Sequence, residues 1–164
     1  MESGLHFMVV LCLTSGLWTG ANAENKTASD DWPKLCPPGW TESDQKCYIF
    51  HDSEKDWADA ERFCTSIGGN LASLQTTEEY ESIRGVIQLV TGTDTNIWVG
   101  GYDATKDGVW LWSDGSKFDF KGWGKVEPNG RAKENCMEIN FNEQDYVNDT
   151  ICSLKKSFFC SKPL

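Results

Sequence analysis

The chain has 164 residues, among them 7 cysteines and 8 tryptophans, and 15 Lys and Arg against 25 Asp and Glu give a formal net charge of −10. A surface this acidic repels phosphate backbones and anionic bilayers, so it argues against nucleic acid and membrane surfaces as partners, and its plainest use is solubility. The length allows one domain with one core.

An apolar stretch from Leu5 to Leu17, followed by Ala21-Asn22-Ala23, has the form of a cleaved secretory leader over residues 1–23, although its first residues carry no Lys or Arg. The stretch is too short and too interrupted to span a bilayer, and no later segment is longer. The expectation is a secreted, extracellular chain from about Glu24, with no membrane insertion. Cys12 leaves with the leader. The remaining cysteines, Cys36, Cys47, Cys64, Cys136, Cys152 and Cys160, form an even set, which in an exported chain reads as three disulfides. Spacing alone permits about fifteen pairings. Zinc is a poor rival, because there is no C-x-x-C pair and His51 is the only histidine after the leader.

Residues 24–35 are polar and read as a flexible N-terminal tail, with Asn25-Lys26-Thr27 a candidate glycosylation site. A domain over 36–164 follows. Cys36-Pro37-Pro38-Gly39-Trp40 predicts a turn, and Lys46-Cys47-Tyr48-Ile49-Phe50 a short strand. Ser53 is placed to cap a helix with Asp56 at its third position, and Trp57, Ala60, Phe63, Cys64 and Ile67 recur at helical spacing until Gly68-Gly69. Leu71-Ala72-Ser73-Leu74 predicts a brief strand. Thr76 and Glu79 form a capping box before a second helix whose apolar face is Tyr80, Ile83, Ile87 and Val90. After Gly92 the helical period gives way to strand-like runs at Trp98-Val99, Val109-Trp110-Leu111-Trp112, Met137-Glu138-Ile139 and Phe158-Phe159-Cys160. Between Trp112 and Cys136 the strand signal is sparse. Loops this long are functional or disordered, and Phe118, Phe120 and Trp123 argue for an anchored one. The order predicts an α+β domain: two helices, short antiparallel sheets, a long loop region and three disulfides.

Glu127-Pro128-Asn129, Glu134 and Asn148-Asp149 gather five oxygen-bearing side chains on two short segments. Carboxylate and amide oxygens without imidazole or thiolate suit a hard cation, Ca²⁺ before any transition metal. Each Asn also has an NH₂ for a second partner, which suits a polyol. Taken alone, Glu-Pro-Asn is a polar turn, and Asn148-Asp149-Thr150 is a glycosylation sequon. Glu127 and Glu134 as a glycosidase pair is a further rival. The amides beside them, and the lack of a nucleophile–base constellation elsewhere, point to binding and not to an enzyme. Trp98, Trp110, Trp112 and Trp123 read as core aromatics.

From Cys36 to Lys162 these residues resemble the C-type lectin domain, with Trp98-Val99-Gly100-Gly101 similar to the family's central motif. Within the family the chain is most similar to the soluble secreted fish lectins of the ladderlectin-like group. The resemblance implies the pairs Cys36–Cys47, Cys64–Cys160 and Cys136–Cys152. It implies a Ca²⁺ site on Glu127, Asn129, Glu134, Asn148 and Asp149, with Glu127-Pro128 in the cis form. Glu127, Asn129, Glu134 and Asn148 would also bind the sugar, the acids accepting from hydroxyls and the amides donating to them. Glu-Pro-Asn resembles the mannose-type order of donors and acceptors. Galactose-type members carry Gln-Pro-Asp and commonly add an aromatic, which Gly130-Arg131-Ala132-Lys133 does not offer.

Four departures stand out. Val147 occupies a position where Trp is usual, and the loop from Asn129 to Glu134 is short. Asp103 and Asp107 match two ligands of an auxiliary calcium site, but Gly130 and Asn135 stand where further acids are expected, so that site would be weak or absent. Lys125, Arg131 and Lys133 bring positive charge near the first site. The expected function is a secreted, calcium-dependent lectin for glycans on cell or microbial surfaces, serving agglutination and innate defence as a non-covalent homo-oligomer. The alternatives are a galactoside- or lactose-binding lectin, a calcium-independent lectin, and a non-sugar binder of ice or protein.

Overall fold

The computed structural model describes residues 35–43 and 45–164; the expected leader, the tail up to Lys34 and the Asn25 sequon lie outside them. Strand β1 (Thr41–Ser43) turns into β2 (Lys46–Lys55), which is longer than its aromatic run suggested. The extra length comes from pairing with the C-terminal strand out to Lys55↔Lys156. Ser53 therefore lies within a strand and caps nothing. The cap of α1 (Trp57–Ser66) is Asp56, whose Oδ1 accepts from the Asp59 N–H at 2.8 Å.

The expected strand at 71–74 reduces to β3 (Asn70–Leu71). Ala72 then donates to Phe159 O and accepts from Gly100 N, both at 2.9 Å, outside any ladder. Helix α2 (Thr77–Thr91) starts as its capping signature predicts. Thr76 Oγ1 accepts from Glu79 N, while Glu79 Oε2 reaches back to Gln75 N, one residue earlier than the usual box. Gly92, at φ 78°, ends the helix in the left-handed conformation. Tyr80, Ile83 and Ile87 are buried, but Val90 is 59% exposed and leaves the packing face, because the last turn runs past the core.

Strands β4 (Ile97–Tyr102), β5 (Leu111–Trp112), β6 (Cys136–Ile139), β7 (Val147–Thr150) and β8 (Lys156–Pro163) complete the chain. Among the described residues, the eight strands join in one sheet of order β1-β2-β8-β4-β6-β7, with β3 on β8 and β5 on β4. The pairings are antiparallel except β4 with β8, where Ile97↔Ser157 and Trp98↔Phe158 run parallel and link what the sequence read as separate short sheets. The α+β class with two helices stands.

Two apolar clusters fill the domain. One gathers Tyr48, Ile83, Ile87, Val99, Trp112, Met137 and Phe159, and the half-buried Trp110, Phe118, Phe120 and Trp123 pack against it, anchoring the long loop as expected. The other surrounds Trp98, Phe158 and the disulfide Cys64–Cys160. Cys36–Cys47 and Cys136–Cys152 are the other two bridges, so the implied pairing holds. Among the described residues no helix is long and apolar enough to cross a membrane.

Candidate functional site

The site is built on β6 and β7. Their register sets Cys136 opposite Thr150, Met137 opposite Asp149, Glu138 opposite Asn148 and Ile139 opposite Val147, and Cys136–Cys152 closes one end. Cross-strand partners share a face, so Asn148 and Glu138 meet on one side of the ladder. Their contact is a hydrogen bond of 2.7 Å from Asn148 Nδ2 to Glu138 Oε1. Val147 is buried in the main core cluster.

The tip of the long loop folds back onto β7. Asp149, only 1% exposed, accepts the Asn129 N–H through Oδ1 and the Gly130 N–H through Oδ2, both at 2.9 Å. The Glu127-Pro128 bond is cis. Tyr146 directs its hydroxyl at the Lys125 carbonyl and at Glu127 Oε1, the latter 3.1 Å away. Glu127 Oε2 is buried without a hydrogen-bond partner. Arg131–Lys133 form a single 3₁₀ turn, the structural form of the short loop, and it returns Glu134 to the same place. A Cβ on Gly130 would stand 2.0 Å from Glu134 Oε2 and 2.1 Å from Glu134 Cβ, so only glycine lets the Glu134 side chain lie against this backbone.

These contacts bring Glu127, Glu134 and Asp149 within one another's fields. Burial raises the Glu127 carboxyl above its usual range; the Tyr146 hydrogen bond offsets this in part, and the charges of Asp149 and Glu134 push it up further. Burial also raises the Glu134 carboxyl, followed by the charges of Asp149 and Glu138. Asn148 is buried and its Oδ1 is turned away from Glu138, while Asn129 is exposed beside them.

Among the described residues, no three His, Cys, Asp or Glu are grouped so as to hold a metal ion by themselves. An ion at this cluster therefore depends on amide oxygens as well as acids. The donors are all oxygen, one carboxylate oxygen is buried and unpartnered, and the acids raise one another; this chemistry fits Ca²⁺. The auxiliary set differs. Asp103 is buried and gives Oδ1 to Asn135 Nδ2 at 2.8 Å and Oδ2 to Gly108 N at 2.7 Å, so it closes its own loop. Asp103, Asp107 and Asp149 line a recess of about 170 Å³ together with Arg131, a cationic side chain already in place. A larger recess of about 510 Å³, lined by Lys46, Asp114 and Lys162 among others, involves none of the five predicted residues.

Two neighbours escaped the sequence reading. In sequence Glu138 reads only as part of a strand, although an acid inside Cys136-Met137-Glu138-Ile139 is itself a signal, since a buried carboxylate needs a partner. Tyr146 sits two residues before Asn148, and only the fold brings it to Glu127.

Residues 53–162 match the family model described as the lectin C-type domain. The galactose-specific lectin nattectin of Thalassophryne nattereri is 42% identical over 165 residues, covering 100% of each chain. Ladderlectin of Oncorhynchus mykiss is 41% identical over 138 residues, 83% of this chain and 73% of that one. Among solved structures, herring type II antifreeze protein superposes with a TM-score of 0.74 at 30% identity, covering 79% of this chain and 99% of that one.

Proposed function

Because this chain belongs to the C-type lectin family, we propose that it is a secreted carbohydrate-binding protein whose Glu127, Asn129, Glu134, Asn148 and Asp149 hold Ca²⁺ and a sugar together. The observation that carries this reading is the buried, unpartnered Oε2 of Glu127 in the combined field of Asp149 and Glu134. A bound Ca²⁺ supplies open coordination positions for a pair of adjacent sugar hydroxyls. Glu127 and Glu134 accept hydrogen bonds from those hydroxyls. Asn129 and Asn148 donate to them, and Asn148 keeps one Nδ2 hydrogen for this after giving the other to Glu138.

The order of Glu127 and Asn129 favours the mannose-type arrangement, two adjacent equatorial hydroxyls. A galactoside reading has its own support: nattectin, similar over its whole length, is named galactose-specific. Tyr146 also brings its hydroxyl to Glu127, an aromatic residue at the site where the 130–133 segment has none. The likeness to an antifreeze protein is one of fold, which hosts more than one function.

One open site binds a monosaccharide weakly, so useful avidity on a cell surface needs several sites held together. With Cys36, Cys47, Cys64, Cys136, Cys152 and Cys160 all paired within the chain, the association is non-covalent. Calorimetry on chelator-treated protein tests the reading. Calcium binding followed by calcium-dependent uptake of sugar is expected, with competition between mannose and lactose choosing the sugar class. Sugar uptake without calcium binding would overturn the metal role, and agglutination by a strictly monomeric preparation would overturn the oligomer.

A further inference from the structure

Glu138 carries a carboxylate into the interior at 0% exposure, on a strand whose other residues are apolar or disulfide-bonded. A carboxyl group buried like this needs partners for its oxygens. Its two oxygens are divided between two partners. Oε2 meets Lys156 Nζ at 2.7 Å, and Oε1 accepts from Asn148 Nδ2 at 2.7 Å. Lys156 is fixed in turn, donating to Asn96 Oδ1 at 2.5 Å and lying 5.2 Å from the centre of the Trp98 ring.

An asparagine amide can exchange its oxygen and nitrogen by a half-turn with almost no change in shape, so its orientation must come from its neighbours. Glu138 faces the amide with an oxygen only, because the Lys156 ammonium stands against its other oxygen. The reversed amide would press Asn148 Oδ1 against a carboxylate. Glu138 thus admits one orientation, Nδ2 inward and Oδ1 outward. Its register opposite Asn148 on the neighbouring strand places it next to the candidate cluster.

We propose that Glu138, backed by Lys156, is a positioning residue that fixes the Asn148 amide with its oxygen presented to the cation and its second Nδ2 hydrogen to the sugar. This rests on the reading of the cluster as a calcium and sugar site. Partners of this kind behind a ligand are worth about 10–100-fold in metal affinity.

The test compares two double variants of the full chain. Glu138→Leu with Lys156→Met removes acceptor and countercharge together and leaves an apolar pair, avoiding an orphaned buried charge. Glu138→Gln with Lys156→Met puts an amide at the same place, which can accept from Asn148 Nδ2 but also donate to its Oδ1 and so no longer dictates one orientation. Calcium titration should show about a 10–100-fold loss for the first and only partial recovery by the second, with both keeping the wild-type melting temperature in chelator. In the metal-free protein, NMR should show one slowly exchanging Asn148 Nδ2 hydrogen in the wild type, weakened in the Gln variant and absent in the Leu variant.

A folded Leu variant with wild-type calcium affinity would overturn the proposal. An Asn148 amide that exchanges as fast as a solvent-exposed one in the metal-free wild type would do so whatever the variants do. A wild type that takes up no calcium, with the slow Asn148 hydrogen present, would sink the site reading instead and with it the purpose assigned to Glu138.

Discussion

The carboxylate of Asp149 holds the backbone N–H of Asn129 at 2.9 Å across 20 positions of sequence, and its other oxygen holds Gly130. One side chain in β7 thus both belongs to the candidate cluster and ties down the loop that supplies the rest of it. Asp149→Asn offers one acceptor oxygen where two N–H groups need one each, and turns an NH₂ against the second. The expected loss is about 1–3 kcal/mol in denaturant unfolding without calcium. A variant as stable as the wild type under those conditions would mean the tie does not hold the loop.

Glu127 should trade stability for function. Its carboxyl is raised in the folded chain by burial and by Asp149 and Glu134, so the metal-free folded state holds that proton more tightly than the unfolded chain does. Stability from this group is then fully present below the ordinary glutamate value of 4.5 and is lost as pH rises through the folded value. Glu127→Gln should therefore melt higher than the wild type in chelator at neutral pH, and the gap should close on acidification. Calcium at a hundredfold excess over its dissociation constant should stabilise the wild type by about 2.7 kcal/mol and leave the variant unmoved. Thermal scans at several pH values, with and without calcium, read both effects.

Gly130→Ala is a one-carbon test of how Glu134 is seated. The new Cβ would collide with Glu134 Oε2 and with its Cβ, which no rotation of the side chain moves, so the turn itself must shift and carry Glu134 with it. The expected result is at least a tenfold drop in calcium affinity with a near-wild-type circular dichroism spectrum. Unchanged affinity would place Glu134 outside the ion's reach.

The bridge Cys64–Cys160 closes 96 residues, and both cysteines are fully buried. Replacing both by Ala should cost about 4–5 kcal/mol in the loop-entropy account, against about 3 kcal/mol for Cys36–Cys47, which closes 11. Chemical denaturation of the two variants gives the ranking directly, and the reverse order would show that loop length does not set it.

Much of this was legible before any coordinates. Both helices follow from periodic apolar residues, the second also from its cap at Thr76, and the five oxygen donors from residue type alone. The cysteine pairing came only through family resemblance, since six cysteines leave their connectivity open. Strand β7 was not legible: Val147-Asn148-Asp149-Thr150 has no alternation of apolar residues, and its extended form comes from pairing with β6. Ser53 satisfied a capping signature, but strand pairing to Lys55 overrode it, a tertiary contact that no local window contains. The role of Glu138 needed both Lys156 and Asn148 in view, and neither is near it in sequence.

The central claim is that this family member binds sugar through calcium at Glu127, Asn129, Glu134, Asn148 and Asp149. A glycan array of the protein, run once in calcium and once in chelator, separates the outcomes. The account predicts glycan binding in calcium, its loss in chelator, and its absence in either condition for Glu127→Gln. Undiminished binding in chelator, or a Glu127→Gln variant that binds the same glycans as the wild type, would contradict it.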